Sequence, residues 1–181
     1  MDAPVLDARA LDDTLRRLAR QIQAPWPEGR FALVGIRSRG VPLARRLAAI
    51  FKETEGLDVP VGELDIALYR DDTRTGPPGR GLPTVHPTVL PFTIEGRPLV
   101  LVDDVLFTGR TVRAALDALV AWGRPQAVRL AVLVDRGHRE LPIQADHVGL
   151  TLATTRTQQV AVRLREHDGE DGVWLTPGPG A

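Results

Sequence analysis

The stretch Val100-Leu101-Val102-Asp103-Asp104-Val105-Leu106-Phe107-Thr108-Gly109-Arg110-Thr111 constrains this chain more than any other. An apolar run leads into two adjacent carboxylates, then a short loop with one glycine, then a helix start. Adjacent ionised acids repel each other and resist desolvation, so such a pair needs a reason. As a structural reading, they cap a helix or sit in salt bridges. As a functional reading, they hold the hydroxyls of a sugar, while the loop amides and helix N-terminus hold a phosphate. Thr108 and Thr111 add hydroxyl donors, and Gly109 lets backbone approach a ligand closely. The stretch lacks the glycine-lysine-serine/threonine ending of a Walker loop and the G-x-G-x-x-G of a dinucleotide site.

The rest of the chain supplies a frame for that segment. At 181 residues it fits one domain, 1–181, with a substantial core. Asp7 to Gln23 reads as a helix, with Leu11, Leu15, Leu18 and Ile22 at helical spacing and Pro25 and Pro27 beyond it. Phe31 to Ile36 is a continuously apolar strand, followed by Gly35-Ile36-Arg37-Ser38-Arg39-Gly40 and a helix opened by Pro42. Val61 to Tyr69 alternates as a strand, with Leu64, Ile66 and Leu68 on one face. Asp71 to Pro91 is rich in proline, glycine and threonine, the composition of a long functional or mobile loop. Leu99–Val102 is a buried strand, and a helix from about Gly109 to Trp122 stops at Gly123 and Pro125. Further strands are expected at Val128–Val134, His147–Leu152, Val160–Arg165 and Val173–Leu175, with a frayed tail from Thr176. Alternating strand and helix argues an α/β domain on a mostly parallel sheet. Ligands of such sheets sit beyond the carboxyl ends of the strands, where both glycine-bearing loops begin.

Composition excludes several function classes. There are no cysteines, hence no disulfides, thiolate metal sites or cysteine nucleophiles; this suits a reducing cytoplasm. No apolar run is long enough to cross a bilayer, and no secretory leader is expected. Formal net charge is zero, so a nucleic-acid partner needs a local basic patch. Lys52 is the only lysine; an arginine bias of this kind reflects genome composition, heat adaptation or phosphate recognition.

Residues Val100 to Thr111 resemble the 5-phosphoribosyl-1-pyrophosphate (PRPP) signature of type I phosphoribosyltransferases: four apolar residues, two acids and a small-residue loop ending in Thr-Gly-x-Thr. The resemblance implies that fold, with a small hood and a flexible loop at about 71–91. It implies that Asp103 and Asp104 hold the ribose hydroxyls, directly or through magnesium carried by PRPP. It implies that Val105, Leu106, Phe107, Thr108, Gly109, Arg110 and Thr111 cradle the 5-phosphate. Gly35 to Gly40 is similar to the loop that holds pyrophosphate, with Ser38 and Arg39 at its tip; the plainer reading is a glycine-rich turn. In that family the peptide there is often cis. Tyr69-Arg70-Asp71-Asp72 leads into the long loop, from which Arg70, Arg74 and Arg80 are placed to meet pyrophosphate, or simply to face solvent.

Val132 to Ile143, with Asp135-Arg136-Gly137-His138-Arg139-Glu140-Leu141-Pro142, is similar to the PyrR family, as are Asp65 to Asp72 and Gly123-Arg124-Pro125. These are bifunctional pyrimidine-operon regulators with uracil phosphoribosyltransferase activity. The likeness puts Asp135, Arg136 and the backbone near Val160 around the base. It implies UMP or UTP sensing, binding to the messenger RNA leader of pyrimidine genes, and a homodimer or homotetramer. Arg16, Arg17 and Arg20 on the first helix and Arg156 are the RNA-binding candidates, joined by Arg163 and Arg165 on one face of a late strand; an ordinary solvated surface is the alternative. No aromatic residues are interleaved with them. A lone histidine in a turn such as His138 is more often structural than catalytic. The competing function is a purine phosphoribosyltransferase for hypoxanthine or guanine, without an RNA role.

Overall fold

A computed structural model describes residues 3–26, 28–70 and 85–178. Five parallel strands form the central sheet, β1 (Ala32–Ile36), β2 (Val61–Leu64), β3 (Pro98–Leu106), β4 (Ala127–Asp135) and β5 (His147–Thr151), in the order β2-β1-β3-β4-β5. Helices α1 (Ala8–Gln23), α2 (Gly40–Glu55) and α3 (Arg110–Val120) flank it. An antiparallel pair, β6 (Gln159–Arg163) and β7 (Gly172–Thr176), with the short helix α4 (Arg165–Asp168) between them, forms a hood.

The period-two alternation of the buried strands builds two cores. Leu33, Val100, Val102 and Leu133 pack with α1, α2 and the hood. Ala32, Val34, Leu99, Leu101 and Val132 pack with α3 and Ile94. The apolar stripe of α1 is buried throughout, and Asp7 caps the helix by accepting the amide of Ala10 at 2.8 Å. The strand order reverses between β1 and β3, so the loops after these strands diverge and leave a crevice at the carboxyl edge of the sheet.

Several boundaries differ from the sequence reading for local reasons. β3 runs on to Leu106, so Asp103 and Asp104 lie within the strand, Asp103 in register with Val132 of β4, and not beyond its end. α2 begins at Gly40, with Pro42 inside its first turn. β2 stops at Leu64, because the carboxylate of Asp65 accepts the amide of Ala67 at 2.7 Å and turns the chain. Leu68 is therefore 74% exposed and joins no buried face. β6 ends at Arg163, and Arg165 opens α4, so these arginines do not share a strand face. Of the long segment expected as a loop, residues 71–84, including Arg74 and Arg80, lie outside the described residues. Within residues 85–91, Val89 bridges Glu63 on the outer edge of β2.

Candidate active site

Two glycines bring the site's loops together. A Cβ on Gly40 would lie 2.2 Å from the carbonyl oxygen of Val102 and 3.4 Å from Cα of Asp103. The start of α2 is thus pressed against β3 immediately before the acid pair. A Cβ on Gly35 would lie 2.5 Å from Cα of Val41, so the loop between folds tightly back over its own strand. The Arg37–Ser38 peptide at the tip is cis. The Nε atoms of Arg37 and Arg39 are buried, and among the described residues neither has a hydrogen-bond partner.

Asp103 is almost fully buried and Asp104 partly so. Asp103 Oδ1 accepts the Asp104 amide at 3.0 Å, and Asp104 Oδ1 accepts the Val105 amide at 2.9 Å. Burial, and then the charge of Asp104, push the Asp103 carboxyl well above the usual carboxylate range, against the opposing charge of Arg70. Among the described residues neither acid caps a helix or forms an ion pair within 4 Å.

After β3 the chain turns through Phe107-Thr108-Gly109 into α3. Gly109, at φ 92°, is the N-cap and has no side chain to cap the helix; the Arg110 amide reaches Thr108 Oγ1 at a long 3.4 Å, and the helix start faces the carboxyl edge of the sheet. This loop is joined to the one following β4. The Leu106 carbonyl accepts the Arg136 amide at 3.1 Å, and the Thr108 carbonyl accepts the amides of Glu140 and Leu141 at 3.0 and 3.2 Å. The Arg136 guanidinium lies over the Phe107 ring at 4.1 Å, and Arg110 pairs with Glu140 at 3.0 Å.

Arg139, which sequence reasoning did not single out, is the central tie. Its guanidinium donates to the carbonyls of Phe107 (3.0 Å), Gly137 (3.2 Å) and Ile143 (2.9 Å) and to the Asp135 carboxylate (2.5 Å). No helix covers Asp135 to Arg139, so their four-residue spacing carried no signal of the tie. His138 has a structural place: Nε2 lies 2.7 Å from the Thr154 carbonyl, and its ring meets Phe107 edge-on.

A cavity of about 720 Å³ lies beside this loop, lined by Arg136, His138, Leu141, Ile143, Leu152 and Thr154 among others. It opens on the β4–β5 side and includes neither the acid pair nor Val160. Val160 instead sits in β6, paired with Leu175 and packed against the α1–α2 core. A second cavity, of about 480 Å³, is lined by Arg37, Ser38, Arg45, Glu63 and His167 among others.

A phosphoribosyl transferase domain model matches residues 4–166. The chain belongs to this family. Within it, the protein named Bifunctional protein PyrR from Thermus thermophilus is 52% identical over 181 residues, covering 99% of this chain and 98% of that one. The PyrR of Pelotomaculum thermopropionicum is 53% identical over 172 residues (94% and 93% covered), and that of Enterococcus faecalis 47% over 175 (96% and 96%). Among solved structures, a hypoxanthine-guanine phosphoribosyltransferase from Bacillus anthracis aligns with TM-score 0.73 at 14% identity, over 98% of each chain. The phosphoribosyltransferase fold expected from Val100 to Thr111 is thus shown, with PyrR proteins as the chain's near relatives.

Of the RNA-binding candidates, Arg16 is held by Asp12 (2.9 Å) and Glu53 (3.1 Å), and Arg17 donates to the Gly149 carbonyl. Arg20 is exposed one turn further along α1. Arg156 is exposed and 3.5 Å from Glu140, which also pairs with Arg110. Arg163 stacks on Trp174 at 4.7 Å and pairs with Glu170 at 2.5 Å. Among the described residues no helix is long and apolar enough to cross a membrane, and no three His, Asp or Glu side chains form a metal cage.

Proposed function

We propose that this chain converts uracil and PRPP to UMP and pyrophosphate, and that it binds the messenger RNA leader of pyrimidine genes in response to UMP or UTP. The observation that carries the enzymatic half is the meeting of three elements at one sheet edge: the acid pair of β3, the start of α3, and the Arg37–Gly40 loop pressed onto Val102. PyrR relatives at 47–54% identity over nearly the whole chain support the uracil and RNA assignments.

In the reaction, the bond from ribose C1 to a pyrophosphate oxygen breaks, the bond from C1 to uracil N1 forms, and the N1 proton is lost. Asp103 and Asp104 hold the ribose hydroxyls near the positive charge that develops at C1. Val105 to Thr111 cradle the 5-phosphate, with the α3 dipole behind them. Ser38, Arg39, Arg70 and Arg80 receive the pyrophosphate. Asp135, Arg136 and the Val160 backbone border the base. Two carboxylates on a strand against which the start of the Arg37–Gly40 loop's helix is pressed, with no third ligand among the described residues, fit magnesium carried in by pyrophosphate better than a resident metal. Magnesium bound with PRPP neutralises leaving-group charge. Most of the catalysis then comes from positioning. The working form is a homodimer or homotetramer.

Asp104→Asn tests the assignment. It keeps an acceptor for the Val105 amide and removes the charge, so the melting temperature holds while turnover of uracil falls at least about a hundredfold, roughly 2.7 kcal/mol of transition-state stabilisation. Full turnover in this variant would sink the assignment.

A further inference from the structure

We propose that Asp168, in the hood, is a positioning residue for pyrophosphate: its carboxylate holds Arg39 until the ligand takes the guanidinium, and recaptures it when the ligand leaves. The inference rests on the reading of the Arg37–Gly40 loop above and adds to it a residue more than a hundred positions away in sequence.

Arg39 Nη2 donates to Asp168 Oδ1 at 2.9 Å, a single end-on contact. The other oxygen of Asp168 accepts the Leu164 amide at 2.9 Å, so the carboxylate is fixed to the backbone of the hood. The hood segment is itself clamped to α2. Arg46 grips Glu166 with two hydrogen bonds, at 2.8 and 2.5 Å, and Asp171 with one at 2.6 Å. Asp171 in turn accepts the Arg165 amide at 2.8 Å. Asp168 is therefore delivered to Arg39 by a braced element and not by a loose side chain.

The contact is incomplete on the arginine side. Asp168 engages one guanidinium nitrogen, and Nε has no partner. A pyrophosphate can engage a guanidinium through two parallel hydrogen bonds, which is the stronger arrangement. Arg39 thus exchanges one anion for a better one. The carboxylate keeps the guanidinium ordered and neutralised without ligand, and it subtracts the worth of the ion pair from pyrophosphate affinity. Product release is helped by the same amount. A plain hood staple would do the opposite: its loss would loosen the loop and weaken every ligand.

The test measures inhibition by inorganic pyrophosphate, and KM for PRPP, in the full chain with magnesium. Asp168→Asn keeps an oxygen for the Leu164 amide and removes the charge. Pyrophosphate should then inhibit about fivefold more tightly, the factor corresponding to roughly 1 kcal/mol for a partly exposed ion pair. KM for PRPP should fall in parallel, and Asp168→Glu should restore wild-type values. In an Arg39→Gln background the gain should vanish. Unchanged or weaker pyrophosphate binding in Asp168→Asn, with Arg39→Gln still weakening it, overturns the role of Asp168 alone. An Arg39→Gln variant with wild-type pyrophosphate affinity overturns the loop reading beneath it.

Discussion

Gly40 lies so close to Val102 that any side chain at position 40 would collide with the Val102 carbonyl oxygen, 2.2 Å from the Cβ position. One glycine thus joins the loop that follows β1 to the strand that carries the acid pair. The collision is with backbone of a central strand, which cannot swing aside.

Gly40→Ala should therefore separate two halves of the site. We expect a loss of about 1–3 kcal/mol in stability, typical of overpacking, and a melting temperature lower by several degrees. KM for PRPP should rise more than KM for uracil, because the displaced loop is the one proposed to receive pyrophosphate. Thermal melts and a two-substrate kinetic series check this. A variant with unchanged melting and unchanged KM would show that the contact does not hold the site.

The hood clamp should weaken in acid. Hydrogen bonding from Arg46 holds Glu166 below its ordinary range. Burial pushes Asp171 up, but hydrogen bonds from Arg46 and the Arg165 amide carry it below normal. Lowered folded-state values mean stability that is present above the unfolded carboxylate range and lost as pH falls through the folded values. Melting temperature should drop as pH falls below about 4.5, and it should drop less steeply in Arg46→Gln, which is already less stable at neutral pH. Parallel pH curves for the two proteins would contradict the clamp.

On α1, the arginines are not equivalent. Arg16 is held by Asp12 and Glu53, and Arg17 by the Gly149 carbonyl, whereas Arg20 is exposed. Arg20→Glu should weaken binding of a pyrimidine-leader RNA more than Arg16→Glu does, and uracil turnover should stay at wild-type level. Its plot of log affinity against log salt should lose about one phosphate contact of slope. Equal losses from both variants, or none, would place the RNA surface elsewhere.

Much of this was legible in the sequence, because periodicity reports burial. The continuous apolar runs of β1, β3 and β4 and the leucine stripe of α1 gave both faces of the sheet. Boundaries set by single polar contacts were not legible. Nothing in the alternation of Val61 to Tyr69 reveals that the Asp65 carboxylate will take the Ala67 amide and end the strand, leaving Leu68 in solvent. The acid pair was readable as a pair, but its position inside β3, with Asp103 nearly enclosed, depends on how far β4 continues alongside. The ties of Arg139 to Phe107 and of Arg39 to Asp168 are long-range pairings between segments, with no local pattern to announce them. The same holds for Gly40, whose reason lies in the carbonyl of a strand more than sixty residues later.

Base choice tests the whole account most directly. The purified chain is incubated with PRPP and magnesium and, in separate reactions, uracil, hypoxanthine, guanine and orotate, and nucleotide and pyrophosphate are quantified together. The account predicts UMP and pyrophosphate in equal amounts from uracil, with turnover of the other bases lower by orders of magnitude. Preferential formation of IMP or GMP would contradict it.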